Sequence, residues 1–118
     1  MNKIMMTSVK LQKKLHHRLQ QRIISDGYGM RGKSRWITEA IESFLGLPDY
    51  PPMVDIAGEM DQLSDVISIR LSDNLAAKIE NAVICIRRQY PAMEGVKSNL
   101  VRASIMQRML RKADSVTE

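Results

Sequence analysis

The chain has 118 residues, 44% of them hydrophobic, with a formal net charge of +5 and one cysteine. That length holds one compact domain or two very small units sharing a core, and it leaves little room for the parallel sheet of a nucleotide hydrolase. No apolar run approaches the roughly 20 residues of a membrane span, the start MNKIMMTSVK has no signal-like apolar stretch, and lone Cys85 closes no intrachain disulfide, so a reducing cytoplasm is the expected setting.

In chain order, TSVKL (residues 7–11) comes first and alternates Val9 and Leu11 with Ser8 and Lys10, the period of a half-buried strand. Leu11, Leu15, Leu19 and Ile23 then recur every four positions, which is one face of a helix. The break GYGMRGKS follows. After it, SRWITEAIESFL places Trp36, Ile37, Ala40, Ile41 and Leu45 on a broad apolar stripe, predicting a second helix packed against partners. Residues 47–65, with their prolines and acids, read as a linker that reaches up to about 60 Å when extended.

The pattern then repeats. ISIRLSDNLAAKIENAV, from Ile67, lies over the segment from Thr7 at an offset of 60. Ile67, Ile69 and Leu71 alternate with Ser68 and Arg70, and Leu71, Leu75, Ile79 and Val83 continue at helical spacing. After the break PAMEG, SNLVRASIMQRM matches the first such helix at an offset of 64, with Leu100, Val101, Ser104, Ile105 and Met109 on its stripe. The unit is strand–helix–helix, twice, over residues 1–46 and 66–118. A lone strand leaves its backbone groups unpaired, and two helices on one strand cannot enclose a core. Antiparallel pairing of the two strands solves both problems. The expected fold is therefore mainly α with a short two-stranded antiparallel ribbon. The linker permits that pairing within one chain or between two, and pairing within one chain is the favoured expectation.

Charge is segregated along the chain. Residues 1–36 carry nine Lys/Arg against Asp26 alone, residues 37–65 carry seven acids and no base, and residues 66–118 carry nine bases against five acids. Two basic segments flanking an acidic one suggest a polyanion-binding face.

The two copies resemble the ribbon-helix-helix family, the MetJ/Arc class of bacterial DNA-binding proteins. The resemblance covers about residues 6–46 and 66–111. It rests on TSVKLQKKL and ISIRLSDNL at the ribbon, and on KSRWITEAIESFL and KSNLVRASIMQRM at the second helix. Tandem copies in one chain are similar to certain accessory proteins of plasmid transfer, in which one polypeptide makes its own pseudo-dimer. The resemblance implies a ribbon laid in the major groove of double-stranded DNA, in a repressor or a transfer accessory protein. A two-stranded ribbon fits that groove and presents its outward side chains to base edges. Those side chains are Ser8, Lys10, Ser68 and Arg70, with Met6 and Val66 one step outward. Arg70 pairs bidentately with guanine, Lys10 reaches the same acceptors with less discrimination, and Met6 and Val66 suit a thymine methyl.

The GYGMRGKS break matches the G-x-x-x-x-G-K-[ST] pattern of a phosphate-cradling loop, but that loop needs a buried strand before it. Here a polar-faced helix precedes it, so no nucleotide is expected. The same physics suits a DNA backbone: helix-start amides and a positive dipole end, with Gly32 allowing close approach and Lys33 adding charge. The resemblance implies that Lys33, Ser34, Lys97 and Ser98 grip phosphate. Ser34 and Ser98 fall either at the N-cap or inside the first turn.

No catalytic arrangement is legible, and no cofactor or metal is expected; adjacent His16 and His17 lack the spacing of a zinc pair. Lys13, Lys14, Arg18 and Arg22 read chiefly as solvated helix surface, Trp36 as core packing, and Cys85 as a small, partly buried residue. Self-association on adjacent DNA sites is compatible with this design. The alternative from another class is an antitoxin-like protein-interaction module, with Met53, Val54, Ile56, Met60 and Leu63 of the linker docking a protein partner.

Overall fold

The computed structural model describes residues 4–29 and 31–111; Met30 of the GYGMRGKS break and the tail after Arg111 lie outside them. The elements are β1 (Ile4–Gln12), α1 (Lys13–Ser25), α2 (Lys33–Leu45), α3 (Tyr50–Ala57), β2 (Leu63–Ser72), α4 (Asp73–Gln89) and α5 (Val96–Leu110). The fold is mainly helical around one two-stranded antiparallel sheet, formed by β1 and β2 of the same chain.

The register pairs Met6 with Arg70, Ser8 with Ser68 and Lys10 with Val66, so the ribbon is symmetric in position about the Ser8–Ser68 pair. A register shift between Leu11 and Gln12 leaves Ser64 as the extra residue of a bulge at one end. Alternation does the rest. Val9, Leu11, Ile67, Ile69 and Leu71 face inward and are buried. Each contributes about 2 kcal/mol relative to an exposed position. They meet Trp36, Ile37, Ile41 and Phe44 of α2 and Leu100, Val101 and Ile105 of α5 in one core cluster.

Local chemistry sets the helix ends. Gly27, at φ 85°, ends α1: its amide donates to Ile24 O at 2.9 Å and the Tyr28 amide donates to Ile23 O at 3.1 Å. That paired arrangement satisfies two of the last carbonyls and needs a left-handed residue, which glycine supplies. Helix α4 starts on Ser72, whose Oγ accepts from the Leu75 amide, with Asp73 in the first turn and Arg87 and Arg88 in the last. Charges so placed complement the helix dipole.

Two sequence readings need correction. Residues 47–65 are not simply a tether: α3 forms within them, and Leu63, Ser64 and Asp65 already belong to β2. Pro51 and Pro52 fall in the first turn of α3, where a missing amide costs nothing, and they start the helix instead of breaking it. Val54 and Ala57 are buried in the shared core, so Val54 is unavailable for docking a partner. Arg22 is the second correction. It is largely buried, pairs with Asp26, and donates from its two terminal nitrogens to Met109 O at 3.0 Å and Arg111 O at 2.7 Å. It therefore ties α1 to the end of α5 and is not solvated surface.

Among the described residues, no helix is long and apolar enough to cross a membrane.

Candidate nucleic-acid interface

The ribbon's outward face carries Met6, Ser8, Lys10, Val66, Ser68 and Arg70 in three cross-strand rows, and all six are exposed. None of these six side chains makes a hydrogen bond or ion pair within the described residues. Ile4, 66% exposed and opposite Ser72, extends the same face by one further row. Alternation does not reveal it, because Ile4, Met5 and Met6 are all apolar and the polar/apolar period starts only after them. Lys10 and Arg70 lie on opposite strands in rows four residues apart, about 13 Å along the ribbon. That separation corresponds to about four base pairs of B-DNA at 3.4 Å per step.

The two strands are fastened to the helices by different groups. On β2, the Arg70 amide donates to Ser34 Oγ at 3.0 Å, which brings the first turn of α2 against the ribbon edge. On β1, the Lys10 carbonyl accepts from a terminal nitrogen of Arg102 at 3.0 Å. Arg102 is 6% exposed; it also donates to Asn99 Oδ1, while Asn99 Nδ2 donates to Glu94 O at 3.0 Å. Burial lowers its proton affinity, yet a guanidinium stays charged at neutral pH. Sequence reasoning missed Arg102 because it stands where the first copy has Thr38, and a buried arginine breaks the apolar pattern it sits in.

The proposed phosphate-binding residues divide. Helix α2 begins on Gly32 and α5 on Gly95, neither with a side-chain cap hydrogen bond. Lys33 is therefore the first residue of α2 and Ser34 the second, while Lys97 and Ser98 lie in the first turn of α5. All four are half-buried. Ser34 spends its oxygen on the Arg70 amide and keeps its hydroxyl proton to donate elsewhere. Gly32 departs from expectation. It is buried, and a Cβ there would lie 2.4 Å from Tyr28 Cβ and 2.5 Å from Tyr28 O. Its lack of a side chain serves packing against Tyr28, not approach by a phosphate.

That packing anchors a polar cluster behind α2. Tyr28 donates to Glu39 Oε1 and accepts from Arg108 at 2.8 Å, and Arg108 also donates to Trp36 O at 2.7 Å. The Arg108 guanidinium lies 4.5 Å from the Trp36 ring centroid, and the indole N–H donates to Asp26 at 2.8 Å. Burial alone would raise the Glu39 carboxyl; bonds from Tyr28 and Arg35 and the charge of Arg108 outweigh it and hold it low. Every charge in the cluster has an internal partner, so it braces the loop. The loop itself follows helix α1, and among the described residues the sheet has two strands, whereas the phosphate-cradling pattern belongs to a loop that follows a buried strand. Among the described residues, no group of three or more His, Cys, Asp or Glu side chains is placed to hold a metal ion.

No family model matches the chain, and neither a curated protein nor a solved structure matches it.

Proposed function

We propose that this protein binds double-stranded DNA sequence-specifically, laying the β1–β2 ribbon in the major groove. The reading takes the chain as a tandem ribbon-helix-helix protein whose two copies form a pseudo-dimer within one polypeptide. One observation carries it: six exposed, unengaged side chains in three rows, on a ribbon whose other face is closed by the core. Arg70 and Lys10 read base edges on opposite sides of the Ser8–Ser68 centre, and serines at the centre donate or accept with several bases. Lys33 and Lys97, at helix starts without side-chain caps, hold the phosphates beside the groove. The biological role is repression or assembly at a plasmid or mobile-element locus, in the cytoplasm.

The test is a competition assay across several salt concentrations. Arg70→Ala lowers affinity for the preferred site by roughly 1–3 kcal/mol and has a much smaller effect on unrelated DNA. Lys33→Ala weakens all duplexes about equally and flattens the log-affinity against log-salt slope by about one unit. Exchanging the two readers, Lys10→Arg with Arg70→Lys, shifts preference toward the reversed site. Equal losses for Arg70→Ala and Lys33→Ala on every sequence, with the same change in slope, would sink the base-reading mechanism.

A further inference from the structure

Among the described residues, hydrogen bonds from helix side chains to the ribbon backbone fall on two residues, and these are the two cationic candidates for reading bases. Ser34 of α2 accepts from the Arg70 amide at 3.0 Å, and Arg102 of α5 donates to the Lys10 carbonyl at 3.0 Å. Lys10 and Arg70 correspond at the repeat's offset of 60. Each stands two residues before the end of its strand, Gln12 in β1 and Ser72 in β2. A two-stranded ladder holds its ends loosely, and beyond Lys10 the register also shifts, between Leu11 and Gln12.

The two clamps are not copies of each other. Ser98, which corresponds to Ser34 at the offset of 64, makes no side-chain hydrogen bond among the described residues. Thr38, which corresponds to Arg102, turns back to donate to Arg35 O at 3.0 Å. Arg102 is also a destabilising choice. It is 6% exposed, no carboxylate forms an ion pair with it among the described residues, and its Nε is enclosed without a hydrogen-bond partner. Space filling alone would favour an apolar side chain, because a buried charge lacking a counter-ion weakens the fold. What the guanidinium supplies is a donor that reaches the strand, steadied at its other terminal nitrogen by Asn99 Oδ1.

Fixing a peptide group fixes a side chain. The peptide is planar, so a bond to the Arg70 amide or the Lys10 carbonyl orients one of the two planes that meet at that residue's Cα, and with it the Cα–Cβ direction. Recognition of a base edge needs that root held within about 0.5 Å. Resting on the DNA-binding reading above, we infer that Ser34 and Arg102 are positioning residues that aim one reader each. Ser34 sets discrimination in the Arg70 half of the DNA site, and Arg102 sets it in the Lys10 half.

The test uses the full chain and a set of duplexes in which each base pair of the preferred site is substituted in turn. Arg70→Ala and Lys10→Ala assign the base pairs that each reader governs. Ser34→Ala loses discrimination at the Arg70 base pairs by about fivefold or more, and at the Lys10 base pairs by less than about twofold. Arg102→Met, which keeps bulk and removes the donors, gives the opposite pattern. Circular dichroism and melting confirm folding; should the methionine variant not fold, Arg102→Lys, which lacks the guanidinium fork, shows the same loss. A loss spread evenly over both halves reports a loosened ribbon and overturns the inference. So does an affinity loss uniform across sequences, which reports phosphate contact alone. If Arg70→Ala and Lys10→Ala relax their base pairs while the Ser34 and Arg102 variants discriminate as wild type does, this inference fails and the DNA reading stands. A wild type without sequence preference ends both.

Discussion

The Asp65 carboxylate accepts from His16 Nδ1 across 2.8 Å, joining the bulged end of the ribbon to α1. That bond is the largest influence holding the Asp65 carboxyl below its ordinary value; desolvation opposes it, and the Ser64 hydroxyl and the charge of Lys13 assist. A carboxyl depressed on folding contributes stability that is present above its unfolded pKa, near about 4, and lost as pH falls through the lower folded value. Urea midpoints should therefore drop as the solution is acidified below about pH 4, and Asp65→Asn should lessen that drop. An unchanged acid dependence in Asp65→Asn would show that the bond does not contribute. Glycine positions test a different cause. Gly32→Ala forces a Cβ into Tyr28 backbone and should destabilise by roughly 1–3 kcal/mol. Gly95→Ala meets open space and suffers only from φ 63°, a cost of about 1 kcal/mol. Urea titrations of the two variants rank them. These two positions looked alike as sequence, since both are the glycine before a helix. Only the contact with Tyr28 separates them.

At the scale of elements, α3 is the part least legible beforehand. Its prolines and acids resemble a connector by composition, and at eight residues it is too short to be stable alone. Packing on α5 makes it a helix. Val54→Ala should lower stability by about 2 kcal/mol, because Val54 is fully enclosed. Ile56→Ala, one turn-face away and 66% exposed, should change it by less than about 0.5 kcal/mol. Comparable effects at both positions in chemical denaturation would mean that α3 does not dock as described. The paired helices were far easier to read. Trp36, Ile37, Ala40 and Ile41 recur at helical spacing, and all four are buried. Their counterparts in α5 are read equally well, except that Asn99 and Arg102 are buried beside them.

For the whole molecule, each half supplies one strand and the strands complete each other, while Arg22 in the first half holds the last carbonyls of the second. Residues 1–46 and 66–118, expressed separately, should each be poorly folded or self-associated. Light scattering and thermal melts of the fragments check this, and a monomeric fragment that melts cooperatively would remove the shared-core argument. Folding of the intact chain brings together strands about 60 positions apart, a separation whose closure is costly only once. The acidic stretch is also placed by the same packing: Asp49, Asp55, Glu59 and Asp61 are exposed around α3 and its flanks, on a segment separate from the ribbon's outward face.

Alternation and fourfold recurrence by themselves determined that the chain holds two strand–helix–helix copies and which strand residues face outward. Those properties depend only on the local periods of strand and helix, two and 3.6 residues, and a repeat writes them twice. Three things were decided only in three dimensions: that β1 pairs β2 of its own chain, that residues 50–57 form a helix, and that Arg102 rather than a copy of Ser34 holds the first strand. Each depends on a partner distant in sequence. A buried guanidinium is tolerated only where a carbonyl such as that of Lys10 awaits it, and a short Pro-led helix persists only where α5 covers its apolar side. Periodicity records what a segment does alone, whereas these outcomes belong to contacts between segments.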